Sequence, residues 1–236
     1  MATFATPDGA MEVAIFAPQG TPKGGVIVYM DAFGLRPELC AMAARFAEAG
    51  YLTYLPDLYH RLPQRHFAVP ASATGSLDPA MGAANSATTL AMGLADTALV
   101  LAHAAGHGVA RFGAVGYCMG ARHALLAAAT YPDAVLAAAC LHGGRLVWGG
   151  ADSPHRAIAR VRGALYFAFA KQDETCPDAD QTAIEQALAD RAAPGRAERY
   201  RAQHGWTFPT RWCHDPALAE QAHQRVLALF AGTIAP

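Results

Sequence analysis

One layer of mostly parallel strands, covered by helices on both faces, is the fold class this sequence predicts. Three observations lead there. Short β-branched and aromatic runs alternate with Ala/Leu-rich stretches of helical length. The runs, such as residues 25–30 (GVIVYM), are apolar throughout, as in strands buried on both faces. No Pro/Gly/Ser-rich linker and no internal repeat interrupts the 236 residues, so a single domain over 1–236 is expected.

The elements follow in order. A turn at Pro7-Asp8-Gly9 leads into a strand over 11–16, and 25–30 is the second strand. Residues 37–49 form a helix, with Pro at its start and Gly50 just past its end. A strand over 51–55 stops at Pro56-Asp57. Residues 60–84, punctuated by Pro63, Pro70, Gly75, Pro79 and Gly82, read as a long excursion, suited to a pocket wall or lid. Helices are predicted over 85–106, 121–130, 178–192 and 216–231, and strands over 112–115, 135–141, 164–170 and 197–202.

With 53% hydrophobic residues the chain can bury a large core. Its formal charge of −1, without blocks of like charge, argues against nucleic acid or an anionic membrane surface as partner. Residues 1–7 lack a basic and apolar leader, and apolar stretches end well before membrane-spanning length. Five widely spaced cysteines without a C-x-x-C pair suit reduced thiols and a cytoplasmic setting. No metal-ligand spacing and no Gly-rich phosphate loop is present, so neither metal nor other cofactor is expected.

The chemistry concentrates at Gly116-Tyr117-Cys118-Met119-Gly120, between a strand and a helix. Glycines on either side of a nucleophile let neighbouring chain pass without a Cβ clash. The side chain then projects at a helix N-terminus, where the dipole and free N–H groups favour a thiolate. Two further strand ends carry Asp173 and His204. A thiol is little ionised at neutral pH; an imidazole can take its proton, and a carboxylate can fix that imidazole. The order nucleophile, acid, histidine is that of α/β-hydrolase triads. Asp31-Ala32-Phe33-Gly34 follows another strand and occupies the loop that supplies a second oxyanion donor. The N–H groups of Ala32 and Met119 are therefore the candidate donors, with Asp31 as an auxiliary group near the thiol.

These segments resemble the dienelactone hydrolase (carboxymethylenebutenolidase-like) family over nearly the whole chain. Asp31-Ala32-Phe33-Gly34-Leu35 is similar to the family's E-I-F-G-L. Ala47-Glu48-Ala49-Gly50-Tyr51 with Pro56-Asp57-Leu58-Tyr59 is similar to its A-E-x-G-Y and P-D-L-Y. Gly116–Gly120 matches G-Y-C-x-G, Asp173 with Pro177 resembles its acid loop, and His204-Gly205-Trp206 its H-G-F. The resemblance implies an α/β-hydrolase fold and a Cys118, His204, Asp173 triad that hydrolyses a lactone or small activated ester through a thioester. Two departures stand out. Asp31 replaces the family's Glu and is one methylene shorter. The arginines with which the family holds a substrate carboxylate are missing from 81–93 and from position 208, which is Phe; the next arginine is Arg211. Arg61 and Arg122 stand as substitutes, with Arg61, Phe33 and Trp206 expected against the substrate. Glutamine amidotransferases and DJ-1-like proteins also place Cys on such a turn, but amidotransferases carry their acid two residues after the histidine, where this chain has Trp206. The alternative from another class is a non-catalytic small-ligand binder or thiol redox sensor on the same fold.

Overall fold

The computed structural model describes residues 1–235. In chain order the elements are β1 (Ala2–Thr6), β2 (Gly9–Phe16), β3 (Gly25–Tyr29), α1 (Pro37–Glu48), β4 (Leu52–Pro56), α2 (Pro79–Ala87), α3 (Leu90–Ala105), β5 (Phe112–Tyr117), α4 (Gly120–Thr130), β6 (Val135–Leu141), β7 (Ala164–Gln172), α5 (Asp178–Ala189), β8 (Gly195–Gln203) and α6 (Pro216–Ala231). A 3₁₀ helix, Pro154–Arg160, precedes β7. The strands form one sheet in the order β1-β2-β4-β3-β5-β6-β7-β8. β1 pairs β2 and β2 pairs β4 antiparallel; every later pairing is parallel. This is the predicted α/β fold.

β3 and β5 are buried along their whole length, and β7 along its first seven residues, which explains their unbroken apolar character. Phe167 and Phe169 stack on one face of β7 with ring centroids 5.8 Å apart. Burying each such ring stabilises the fold by about 1.5–3 kcal/mol. Helix α3 buries Gly93, Asp96, Thr97, Val100 and Ala104, one helical face. Gly93 is needed there, since a Cβ would stand 2.2 Å from His123 Nδ1.

Three features depart from the sequence reading. β1, a half-exposed edge strand, completes a hairpin around the predicted Pro7-Asp8-Gly9 turn; with Phe4 its one large apolar side chain, it carries little hydrophobic signal. The helix predicted over 85–106 is two. Thr88 leaves the helical region (φ −84°, ψ 95°), and Thr89 caps α3 by accepting the Met92 N–H. The 3₁₀ helix has Pro154 near its start. Among the described residues no single helix is long and apolar enough to cross a membrane, although α2 and α3, bent by 67°, suffice together by length and composition.

Candidate active site

The strand–turn–helix at residue 118 is built by contact between backbones. Cys118 has φ 54°, in the left-handed region that side chains rarely occupy. A Cβ on Gly116 would stand 2.1 Å from Gly120 O, and one on Gly120 would stand 2.3 Å from Tyr29 O. The two glycines therefore let the turn close on itself and press against the end of β3. That contact brings the Ala32 loop alongside Met119. Among the described residues, neither the Ala32 nor the Met119 N–H is taken by another backbone carbonyl outside the helices and strands. Tyr59 braces the pair: its hydroxyl donates to Ala32 O (3.1 Å) and lies 3.4 Å from Met119 Sδ.

Asp173 and His204 meet through strand register. Gln172 of β7 pairs with Gln203 of β8, after a shift that follows the Ala170–Tyr200 pair. β7 has one residue between those pairs and β8 two, so the bulge sets His204 rather than Gln203 against Asp173. His204 Nδ1 donates to Asp173 Oδ2 at 2.7 Å. The other carboxylate oxygen accepts from the Thr175 N–H (2.9 Å) and hydroxyl (2.6 Å). The Asp173 side chain is fully buried, whereas that of His204 retains one-fifth of its exposure.

On its other side His204 interacts with the Cys118 sulfur. Burial pushes the thiol up, but the charge and hydrogen bond of His204 outweigh it and leave the thiol below its ordinary value. Asp31 opposes ionisation of the thiol, and Arg211 assists it. Burial pulls His204 down, yet the Cys118 charge and the Asp173 hydrogen bond push it up to about 10. Burial raises Asp173, but its hydrogen bonds from His204 and Thr175 win and hold it below the usual carboxylate range. Each of these shifts moves its group toward the charged form.

Asp31 is fully buried beside this line, with its charge committed elsewhere. Arg36 grips both of its oxygens, at 2.6 and 3.0 Å, and Oδ1 also accepts the Phe33 N–H. Arg211 approaches Oδ2 at 3.5 Å and lies over the Phe33 ring at 4.3 Å. The excursion after β4 packs against the same loop, through a hydrogen bond from Phe67 N–H to Phe33 O. Gly34, at φ 87°, passes so close to this segment that a Cβ would stand 1.9 Å from Arg65 O. These contacts tie residues 65–67 to the loop after β3.

The structure redirects three of the residues expected against substrate. Arg61 donates to Asp8 and, with both Nη atoms, to Asp96, away from the thiol. Trp206 has no exposed surface and stacks on Tyr200 at 5.2 Å. Phe33 is only 4% exposed, beneath Arg211. Arg122, in the first turn of α4, donates to Asn85 Oδ1 at 2.7 Å and leaves its buried Nε unpartnered; the Cys118 charge acts on it. Sequence reasoning missed Arg36, Thr175 and His142. Thr175 had a local signal, since an Asp two residues before a Thr commonly takes its N–H in a turn.

Comparison with known proteins agrees with this architecture. The family model described as the dienelactone hydrolase family matches residues 11–234. The chain belongs to the dienelactone hydrolase family. Membership makes it a hydrolase acting on ester or lactone bonds. A Synechocystis sp. protein bearing the carboxymethylenebutenolidase name is 28% identical over 215 residues, 87% of this chain and 84% of its own length. The carboxymethylenebutenolidase of Rhodococcus opacus is 30% identical over 129 residues, 52% of this chain and 46% of its own. A crystal structure from Klebsiella pneumoniae bearing the dienelactone hydrolase name superposes with TM-score 0.79 at 24% identity, covering 94% of this chain and 99% of that one. Within this dienelactone hydrolase-family chain, the elbow at Cys118 and the acid and histidine loops all lie inside the matched span.

Proposed function

We propose that the protein hydrolyses a lactone or small activated ester by two-step acyl transfer through Cys118, His204 and Asp173. The observation that carries this reading is the 2.7 Å Asp173–His204 hydrogen bond with the thiol on the imidazole's far side. The Cys118 thiolate attacks the carbonyl carbon, and the C=O electron pair moves onto oxygen. The Ala32 and Met119 N–H groups receive that oxyanion; losing one such donor typically costs about 100–1,000-fold in turnover. As the tetrahedral adduct collapses, the C–O bond breaks and protonated His204 gives its proton to the departing oxygen. His204 then takes a proton from water, hydroxide adds to the thioester carbonyl, and collapse returns thiolate, imidazolium and the acid. Thiolate leaves easily, so the mechanism suits enol lactones and aryl esters, whose own leaving groups compete with it. The carboxymethylenebutenolidase names among the relatives point the same way. A carboxylate on the substrate would be met by Arg122 or Arg211 rather than Arg61, since those two interact with the Cys118 charge while Arg61 is held by Asp8 and Asp96.

The test is hydrolysis of an enol lactone and an activated aryl ester by wild type and by Cys118→Ala, with intact-mass detection of an acyl adduct on the wild type. Loss of turnover in the variant and an adduct in the wild type are expected. Unchanged turnover in the variant would reject the mechanism. Iodoacetamide reactivity at Cys118 without hydrolysis of any ester or lactone would favour the thiol-sensor alternative.

A further inference from the structure

His142 follows β6 in a conformation that residues other than glycine rarely adopt, with φ 36°. It is wholly buried and lies outside the Cys118–His204–Asp173 line. Its N–H donates to Ala168 O at 2.8 Å, which anchors the backbone to β7. Its Nε2 is 2.8 Å from Thr207 Oγ1, and its Nδ1 has no partner. The ring stands edge-on to three rings of the loop after β8. Centroid distances are 5.1 Å to His204, 5.1 Å to Trp206 and 5.3 Å to Phe208, with interplanar angles of 68°, 71° and 61°. Tyr117 of β5 tilts against it at 6.0 Å.

A plain core position tolerates Phe or Leu without a left-handed backbone or an orphaned ring nitrogen. The arrangement makes sense as a fence. We propose that His142, pinned by Thr207, is a positioning residue that holds the His204 ring in the plane from which it reaches Asp173 and Cys118 together. The proposal rests on the triad reading. Burial first, then the charges of His204 and Arg211, keep His142 neutral, so the fence adds no second cation beside the imidazolium. Around His204 the other groups are Asp173 and Thr175 after β7 and Cys118 on the elbow, while Cys213 Sγ donates to its carbonyl. An imidazole free to tilt would reach one partner at a time, and misplacement of about 1 Å can cost on the order of 100-fold.

The experiment measures the pH dependence of Cys118 alkylation by iodoacetamide, and kcat and KM on an activated aryl ester, for full-length wild type, His142→Ala, His142→Phe and Thr207→Val. The Ala variant should raise the alkylation midpoint toward that of an ordinary thiol and lower kcat about 10–100-fold at near-unchanged KM. Phe, which keeps a flat ring, should recover most of both, and Thr207→Val should give a smaller shift in the same direction. A His142→Ala enzyme that keeps the wild-type midpoint and kcat and loses only thermal stability overturns the proposal. If that variant does not fold, an unchanged midpoint and kcat in Thr207→Val overturns it instead. Wild type that alkylates readily but hydrolyses nothing would sink the triad reading, while the alkylation midpoints still judge the hold on His204.

Discussion

Two buried aspartates stand at strand ends on either side of the thiol, and their neighbours give them opposite effects. Asp173, after β7, accepts from His204 and Thr175; it raises the imidazole and so favours the thiolate. Asp31, after β3, accepts from Arg36 and Phe33, and its charge works against the thiolate. Both are carboxylates out of contact with bulk water. What separates them is whether the next group along is a proton carrier or a permanent cation. A strand-end acid in this fold therefore cannot be assigned a role from its residue type and position alone.

The sharpest way to break this contrast is Asp173→Asn, which keeps the shape but turns a donor toward the imidazole. Turnover of an aryl ester should fall about 1,000–10,000-fold, and steady-state kinetics would show it; a fall below tenfold would put the two aspartates on equal terms. The same variant has a pH signature. The folded His204 value, about 10, lies above the ordinary imidazole value of 6.5, so its contribution to stability is complete below 6.5 and lost as pH rises through about 10. Melting temperatures followed from neutral to alkaline pH should show a smaller loss that is over at lower pH in Asp173→Asn than in wild type.

Asp31→Asn should act more gently on chemistry and in the other direction on the thiol. Removing its charge takes away an influence that opposes thiolate formation, so the alkylation midpoint should move down. Arg36 loses one of its two carboxylate partners and keeps Glu38 at 2.7 Å, so stability should fall by about 1–3 kcal/mol, read as a lowered denaturant midpoint. An upward move of the alkylation midpoint would refute this assignment of Asp31. The smallest effect on turnover is expected from Arg61→Gln. Its partners Asp8 and Asp96 lie away from the thiol, so stability should drop while turnover per folded molecule stays at the wild-type level. A selective rise in KM for carboxylate-bearing substrates would return Arg61 to the pocket.

Much of this molecule was legible from its residues. The apolar runs over β3, β5 and β7 announced strands buried on both faces, because a parallel sheet covered by helices leaves no wet side to demand alternation. Gly116 and Gly120 announced the elbow, because the tight approaches there exclude a Cβ. Cys118, Asp173 and His204 could be singled out as candidates from their places after strands, since local pattern locates strand ends. Tertiary structure alone decided which side chains meet. The extra residue that β8 spends before Gln203 sets His204 opposite Asp173, and no local propensity encodes that count. Asp96 reaches Arg61 from α3 and Asp8 from the first hairpin, segments far away in sequence. Arg36 closes on Asp31 across the turn between β3 and α1, and His142 finds His204 across β7. Propensity and period act over a few neighbouring residues, whereas a charge or a ring selects its partner through space after the sheet has assembled.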